Sequence, residues 1–103
     1  MREKSFKKGD ILYTKGNEPE HAFMVSKGSL ELFDCPEAEA EDVLGVGSFV
    51  CEFESFLKDK PLTMNLRAKE DTEVFVFSKK EINNFMRNHP GLMLLVGGSK
   101  YVQ

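Results

Sequence analysis

Met64-Asn-Leu-Arg-Ala68 and Thr72-Glu-Val-Phe-Val-Phe77, followed at once by Ser78-Lys-Lys-Glu81, decide how this 103-residue chain is read. In the first two segments apolar and polar residues alternate, the period of strands with one buried face. At Ser78 the period changes. Ser78 and Glu81 make a capping box: the hydroxyl accepts from the backbone N–H three residues on, and the carboxylate reaches back. Ile82, Phe85, Met86 and His89 follow at helical spacing, and Pro90-Gly91 predicts the stop. The chain is expected to pass from sheet to helix once, near residue 78.

Toward the N-terminus, Ser29-Leu-Glu-Leu-Phe33 alternates in the same way, and Ile11-Leu-Tyr-Thr14 and Ala22-Phe-Met-Val-Ser26 read as further strands. Gly9-Asp10, Gly16-Asn17, Gly28, Gly45 and Gly47 each supply a residue that tolerates positive φ, as tight turns require. Turn signals at such short intervals predict a sandwich or barrel rather than βαβ units. The expected organisation is one domain over 1–103: a β-sandwich over about 6–78, a helix over 78–90, and the start of a further helix over 91–103. Gly97-Gly98 would weaken that last segment by roughly 1 kcal/mol per glycine. No linker, repeat or low-complexity stretch interrupts the chain.

Composition narrows the function classes. A net charge of −3 speaks against direct nucleic-acid binding, although Arg2, Lys4, Lys7 and Lys8 open the chain and Asp34-Cys-Pro-Glu-Ala-Glu-Ala-Glu-Asp42 is acidic throughout. Both runs read as solvated surface. The longest apolar run, Leu92 to Val96, is too short to span a bilayer, and Met1-Arg-Glu-Lys lacks the apolar stretch of a secretory signal. A cytosolic domain away from membranes is the expectation. Cys35 and Cys51 are expected to be free thiols, since zinc sites need three or four ligands at short spacings, and His21 and His89 stand far from either. Neither a cofactor nor a metal is expected.

Particular residues carry a more specific signal. Phe6-Lys-Lys-Gly-Asp-Ile-Leu-Tyr-Thr-Lys-Gly16 and Phe23-Met-Val-Ser-Lys-Gly28-Ser-Leu-Glu-Leu32, the latter with a K-G-x-φ-x-φ hairpin, resemble the opening of a cyclic-nucleotide-binding domain. Val46-Gly-Ser-Phe-Val-Cys-Glu52 sits where that family has its G-D-x-F-G-E turn, and Leu62-Thr-Met-Asn-Leu-Arg-Ala68 follows where the family has an arginine segment. Leu66 to Pro90 is similar to the matching part of the bacterial cyclic-AMP receptor proteins. The resemblance runs from about Phe6 to Val96. It implies a double-stranded β-helix, or jelly-roll sandwich, with a C-terminal helix, acting as a sensor or regulatory module and not as an enzyme.

The resemblance also implies a site. In the family a short helix after the turn directs its N-terminal amides at the cyclic phosphate. A glutamate accepts from the ribose hydroxyl, and an arginine with a following Ser or Thr holds the phosphate. On this chain the ligand-binding positions become Val50, Cys51, Glu52, Phe53, Leu62 and Thr63. Glu52 matches the ribose glutamate and Thr63 the hydroxyl donor, but Cys51 stands in the glycine position and Leu62 in the arginine position. Glu54 falls within the short helix, where a carboxylate facing the site would repel a phosphate. Arg67, an odd number of residues from Leu62, would lie on the opposite face of an extended strand and is not expected to substitute.

Each residue has a plainer reading beside this one. Glu52 reads equally as an exposed carboxylate in a polar turn, and Leu62 as an apolar plug in a vestigial pocket. Cys51 reads as a small turn residue in preference to a reactive thiol. Three function classes follow. The first is a cyclic-nucleotide sensor with weak or lost cyclic-AMP binding. The second is a protein-interaction or regulatory fragment of a receptor-type transcription regulator, working through a protein partner or a homodimer. The third, a cupin-like small-molecule enzyme, lacks the His-x-His pair such enzymes use. The chain leaves no room for an output domain, so the expectation is a fragment or a module that signals by binding.

Overall fold

The computed structural model describes residues 1–35 and 37–88. Among the described residues, eight strands precede and surround two helices. The strands are β1 (Arg2–Phe6), β2 (Ile11–Tyr13), β3 (His21–Lys27), β4 (Leu30–Phe33), β5 (Asp42–Leu44), β6 (Phe49–Val50), β7 (Asn65–Ala68) and β8 (Thr72–Ser78). Helix α1 (Phe53–Lys58) lies between β6 and β7, and α2 (Lys79–Asn88) follows β8. The strands form two four-stranded antiparallel sheets in the orders β1-β8-β3-β6 and β2-β7-β4-β5.

The alternation read from the sequence is what closes this sandwich. In β7, Leu66 and Ala68 turn inward, while Asn65 and Arg67 face out. In β8, Thr72, Val74 and Val76 turn inward against Leu30, Leu32, Leu44 and Phe23. Burying a side chain such as Leu30, Leu44 or Leu66, each fully inaccessible, stabilises the fold by about 1.5–3 kcal/mol. A smaller cluster of Ala22, Cys51, Phe56 and Ile82, flanked by Phe49 and Phe77, seats the two helices on the other side of the β3–β8 sheet.

Local chemistry fixes the joints. Gly28, between β3 and β4, has φ +88°, and a Cβ there would lie 2.5 Å from the Asp71 carbonyl oxygen and 2.6 Å from Thr72 Oγ1. Only glycine fits that turn. Beside it the Ser29 N–H donates to Thr72 Oγ1 (3.1 Å), and that hydroxyl donates to the Ser29 carbonyl (2.9 Å). At the start of α2 the capping box is formed in both directions: the Glu81 N–H donates to Ser78 Oγ and the Ser78 N–H to Glu81 Oε1, each at 3.1 Å. The Met1 ammonium also bonds the Glu81 carboxylate. Together the Met1 ammonium and the Ser78 N–H hold the Glu81 carboxyl down to about 2.

Several expectations need correction. The sandwich begins at Arg2, not Phe6: β1 pairs with β8 from Arg2↔Val76 to Phe6↔Thr72. Its first four residues are exposed, so no apolar alternation announces it; backbone pairing to β8 makes it a strand, and only Phe6, edge-on to Phe23, packs on the core. The acidic run is exposed or half-buried at every described residue, as read, and its last residue, Asp42, opens β5 opposite Leu32. Gly9, Gly16, Gly28 and Gly47 take positive φ, but Gly45 does not, and Asp59 does instead (φ 52°). Helix α2 begins at Lys79, with Ser78 as its cap. The roles read for His89, for the Pro90-Gly91 stop and for the helix from Leu92 lie outside the described residues. Among the described residues, no helix is long and apolar enough to cross a membrane.

Candidate functional site

The segment from Phe49 to Thr63 leaves the sandwich at one strand and returns to it at another. β6 pairs with β3 through Phe23↔Val50 and Met24↔Phe49, which fixes the departure point. Val50 points into the main core and Cys51 into the smaller cluster, both essentially inaccessible. Neither side chain is free to meet a ligand. Burial first, then the neighbouring Glu52 charge, pushes the Cys51 thiol up to about 12, so it stays protonated and unreactive near neutral pH. That disposes of the reactive-thiol reading.

Glu52 occupies the N-cap position of α1, yet its side chain caps nothing there. Its carboxylate turns across the loop to Thr63: Oε1 accepts from Thr63 Oγ1 at 2.6 Å and from the Thr63 N–H at 3.0 Å, and Oε2 lies 3.2 Å from the same N–H. Glu52 is only 3% exposed, so the exposed-carboxylate reading fails. A buried polar group needs hydrogen-bond partners, and here Thr63 supplies them.

The return path is equally well held. α1 ends at Asp59 in the left-handed region, with the Asp59 and Lys60 N–H groups both directed at the Ser55 carbonyl. Ser55 Oγ then donates to the Pro61 carbonyl at 3.2 Å. Leu62 is tied to the β2–β3 loop by two backbone bonds: its N–H donates to Asn17 O (2.9 Å), and the Gly16 N–H donates to Leu62 O (2.8 Å). The Leu62 side chain is 4% exposed and forms part of the wall of a cavity of about 370 Å³. Leu12, Tyr13 and Phe23 complete its apolar floor; Asn17, Glu18, Glu20 and His21 form the polar side. Among the described residues its lining contains no lysine or arginine.

The structure thus joins three of the six predicted positions, Glu52, Leu62 and Thr63, in one hydrogen-bonded loop. Val50 and Cys51 serve the core, and the side chains of Phe53 and Glu54 lie outside the described residues. The strand-parity argument for Arg67 does not apply, because Leu62 lies in the loop before β7. Arg67 sits on the outer face of that strand, bonded to Glu31 (2.7 Å) with its guanidinium 4.0 Å from the Phe33 ring centre. Sequence reading missed Tyr13, Asn17, Glu18 and Glu20 as cavity residues. The only local signal was the polar Gly16-to-Glu20 loop, and its contact with Leu62 is a backbone pairing that no side-chain pattern reports. Among the described residues no group of three or more His, Cys, Asp or Glu is placed to hold a metal.

Such a sandwich, with a short helix and a returning loop at one end, has the architecture of a ligand-responsive regulatory domain. Residues 3–89 match the cyclic nucleotide-binding domain family, and the chain belongs to that family. Domains of this family are regulatory rather than catalytic. No curated protein matches the chain. Among solved structures it is similar to the cAMP-bound form of the EAL enzyme Bd1971 (16% identity, TM-score 0.77, 92% of this chain and 26% of that one). It is also similar to the Thermus thermophilus Catabolite Activator Protein (19%, TM-score 0.76, 93% and 48%). The C-linker/CNBHD of zELK channels, crystallised in the presence of cAMP, is a third (20%, TM-score 0.71, 87% and 45%). The chain spans between about a quarter and a half of these proteins, and at such identities the likeness is one of fold: the jelly-roll sandwich of a cyclic-nucleotide-binding domain.

Proposed function

We propose that this chain is a sensor or regulatory module of the cyclic-nucleotide-binding family whose own cassette binds cyclic AMP weakly or not at all. The observation that carries the reading is the loop of Glu52, Leu62 and Thr63. In the position the resemblance assigns to the phosphate arginine stands an apolar side chain pinned in a cavity wall. The glutamate assigned to the ribose is already bonded by the threonine assigned to the phosphate. A nucleotide would have to displace Thr63 from Glu52 and bring its anionic phosphate to a wall without a cation.

Leaving one member of a buried charge pair without its partner costs about 2–5 kcal/mol. At 1.4 kcal/mol per decade this is roughly 30-fold to several thousand-fold in affinity. The same missing cation supports a second reading, a domain retained for binding another protein or a second copy of itself.

Calorimetric titration with cyclic AMP tests the first reading. Wild type should bind no tighter than about millimolar, and Leu62→Arg, whose guanidinium can grip a phosphate bidentately, should gain at least about tenfold. Glu52→Gln added to that variant should remove much of the gain. Tight wild-type binding would overturn the proposal, and so would a Leu62→Arg variant that folds yet gains nothing.

A further inference from the structure

The cavity beside Leu62 has a chemistry of its own. At about 370 Å³ it lies within the range of small-molecule sites, roughly 300–1,000 Å³. Its floor is apolar and partly aromatic: Phe23 and Leu62 are each 4% exposed, and the Tyr13 and Phe23 rings lie 6.4 Å apart, tilted by 32°. The two backbone bonds between Leu62 and the Gly16–Asn17 turn hold that floor against the opposite loop, so the space is built into the fold.

The polar side carries one sign. Glu18 and Glu20 supply its two carboxyl groups, beside the Asn17 amide and the His21 imidazole. Lys15, two residues before Asn17, is bonded to Asp34 at 2.5 Å and directed away from this lining. An anion entering here meets two carboxyl side chains and, among the described lining residues, no lysine or arginine. A cation meets two carboxylate side chains in a lining that also holds the Tyr13 and Phe23 rings, and aromatic rings attract positive charge.

We propose that this cavity is a binding site for a small organic cation, an amine carried on an aromatic or aliphatic body. The body would rest on Leu12, Tyr13, Phe23 and Leu62, and the ammonium would lie toward Glu18 and Glu20. The proposal rests on the reading that Leu62 faces the ligand side of the cassette, and it inverts the sign of the ligand that side accepts.

Three probes with one aromatic body and different charge test it: phenethylamine, 2-phenylethanol and phenylacetate, each titrated by calorimetry into the wild-type chain. Phenethylamine should bind about tenfold more tightly than phenylacetate, with the neutral alcohol between them. Replacing Glu18 and Glu20 together by Gln should cut phenethylamine binding by about three- to tenfold and leave 2-phenylethanol unchanged. Both residues are exposed, so the variant should fold as wild type does, which a melting curve checks. Equal binding of amine and carboxylate, no effect of the Gln pair, or no binding of any probe at millimolar concentration each overturns the proposal. If the charge order fails while Leu62→Arg gains cyclic AMP, only this inference falls. If the order holds while Leu62→Arg gains nothing, it is the cassette reading that falls.

Discussion

Two carboxylate–hydroxyl pairs in this molecule use the same chemistry to different ends. At the head of α2, Ser78 and Glu81 are three residues apart, and each side chain bonds the other's backbone N–H at 3.1 Å. At the cassette, Glu52 and Thr63 are eleven residues apart, and the hydroxyl bonds the carboxylate directly at 2.6 Å while the Thr63 N–H adds its own bond. The first pair is partly open to water and starts a helix. The second joins a buried carboxylate to an exposed threonine and closes a loop around a helix of six residues. Burial of the carboxylate separates them: water can replace a lost partner at the half-exposed Glu81, whereas Glu52 is 3% exposed and reaches solvent only past Thr63. Two positions that the family resemblance assigns to a ligand are here bonded to each other.

The sharpest way to break the contrast is Thr63→Val, which keeps the shape and the backbone N–H but removes the hydroxyl. The carboxylate of Glu52 would lose its shortest bond inside the protein, and a hydrogen bond to a charged group contributes about 1.5–3 kcal/mol. Urea unfolding should show a loss in that range. If the Glu52→Gln/Thr63→Val double variant is no more stable than the sum of its singles predicts, the two residues are not coupled and the latch is incidental.

Ser78→Ala should cost less, about 1 kcal/mol, because the orphaned N–H groups of α2 can turn to solvent. Its effect on urea unfolding should fall below that of Thr63→Val. The reverse order would mean that burial does not separate the two pairs.

The smallest effect concerns acid. The Glu81 carboxyl, ordinarily near 4.5, is held at about 2, so its contribution is complete above about pH 4.5 and is lost as the pH falls toward 2. Glu81→Gln should therefore lower the melting temperature slightly at pH 7 and leave it almost unchanged near pH 2. An equal loss at both would show that the side chain acts through packing and not through charge.

What was legible in the sequence was whatever depends on near neighbours. Strand alternation in β4, β7 and β8 needs only a period of two, and the capping box needs residues three apart. The Gly28 turn follows from a backbone angle that excludes side chains. These preferences act within a few residues, so the order of letters records them. Resemblance added the position of the cassette, which no local pattern gives.

Only the tertiary structure decided the rest. β1 is a strand because β8 offers it unpaired backbone groups, and backbone pairing leaves no mark on exposed side chains. Cys51 is a core residue because α1 and α2 both close on it. Glu52 finds Thr63 because α1 and the left-handed turn at Asp59 fold the chain back on itself. The cavity exists because Leu62 is sewn to Asn17 by main-chain bonds, which are the same for every residue type and are therefore silent in the sequence.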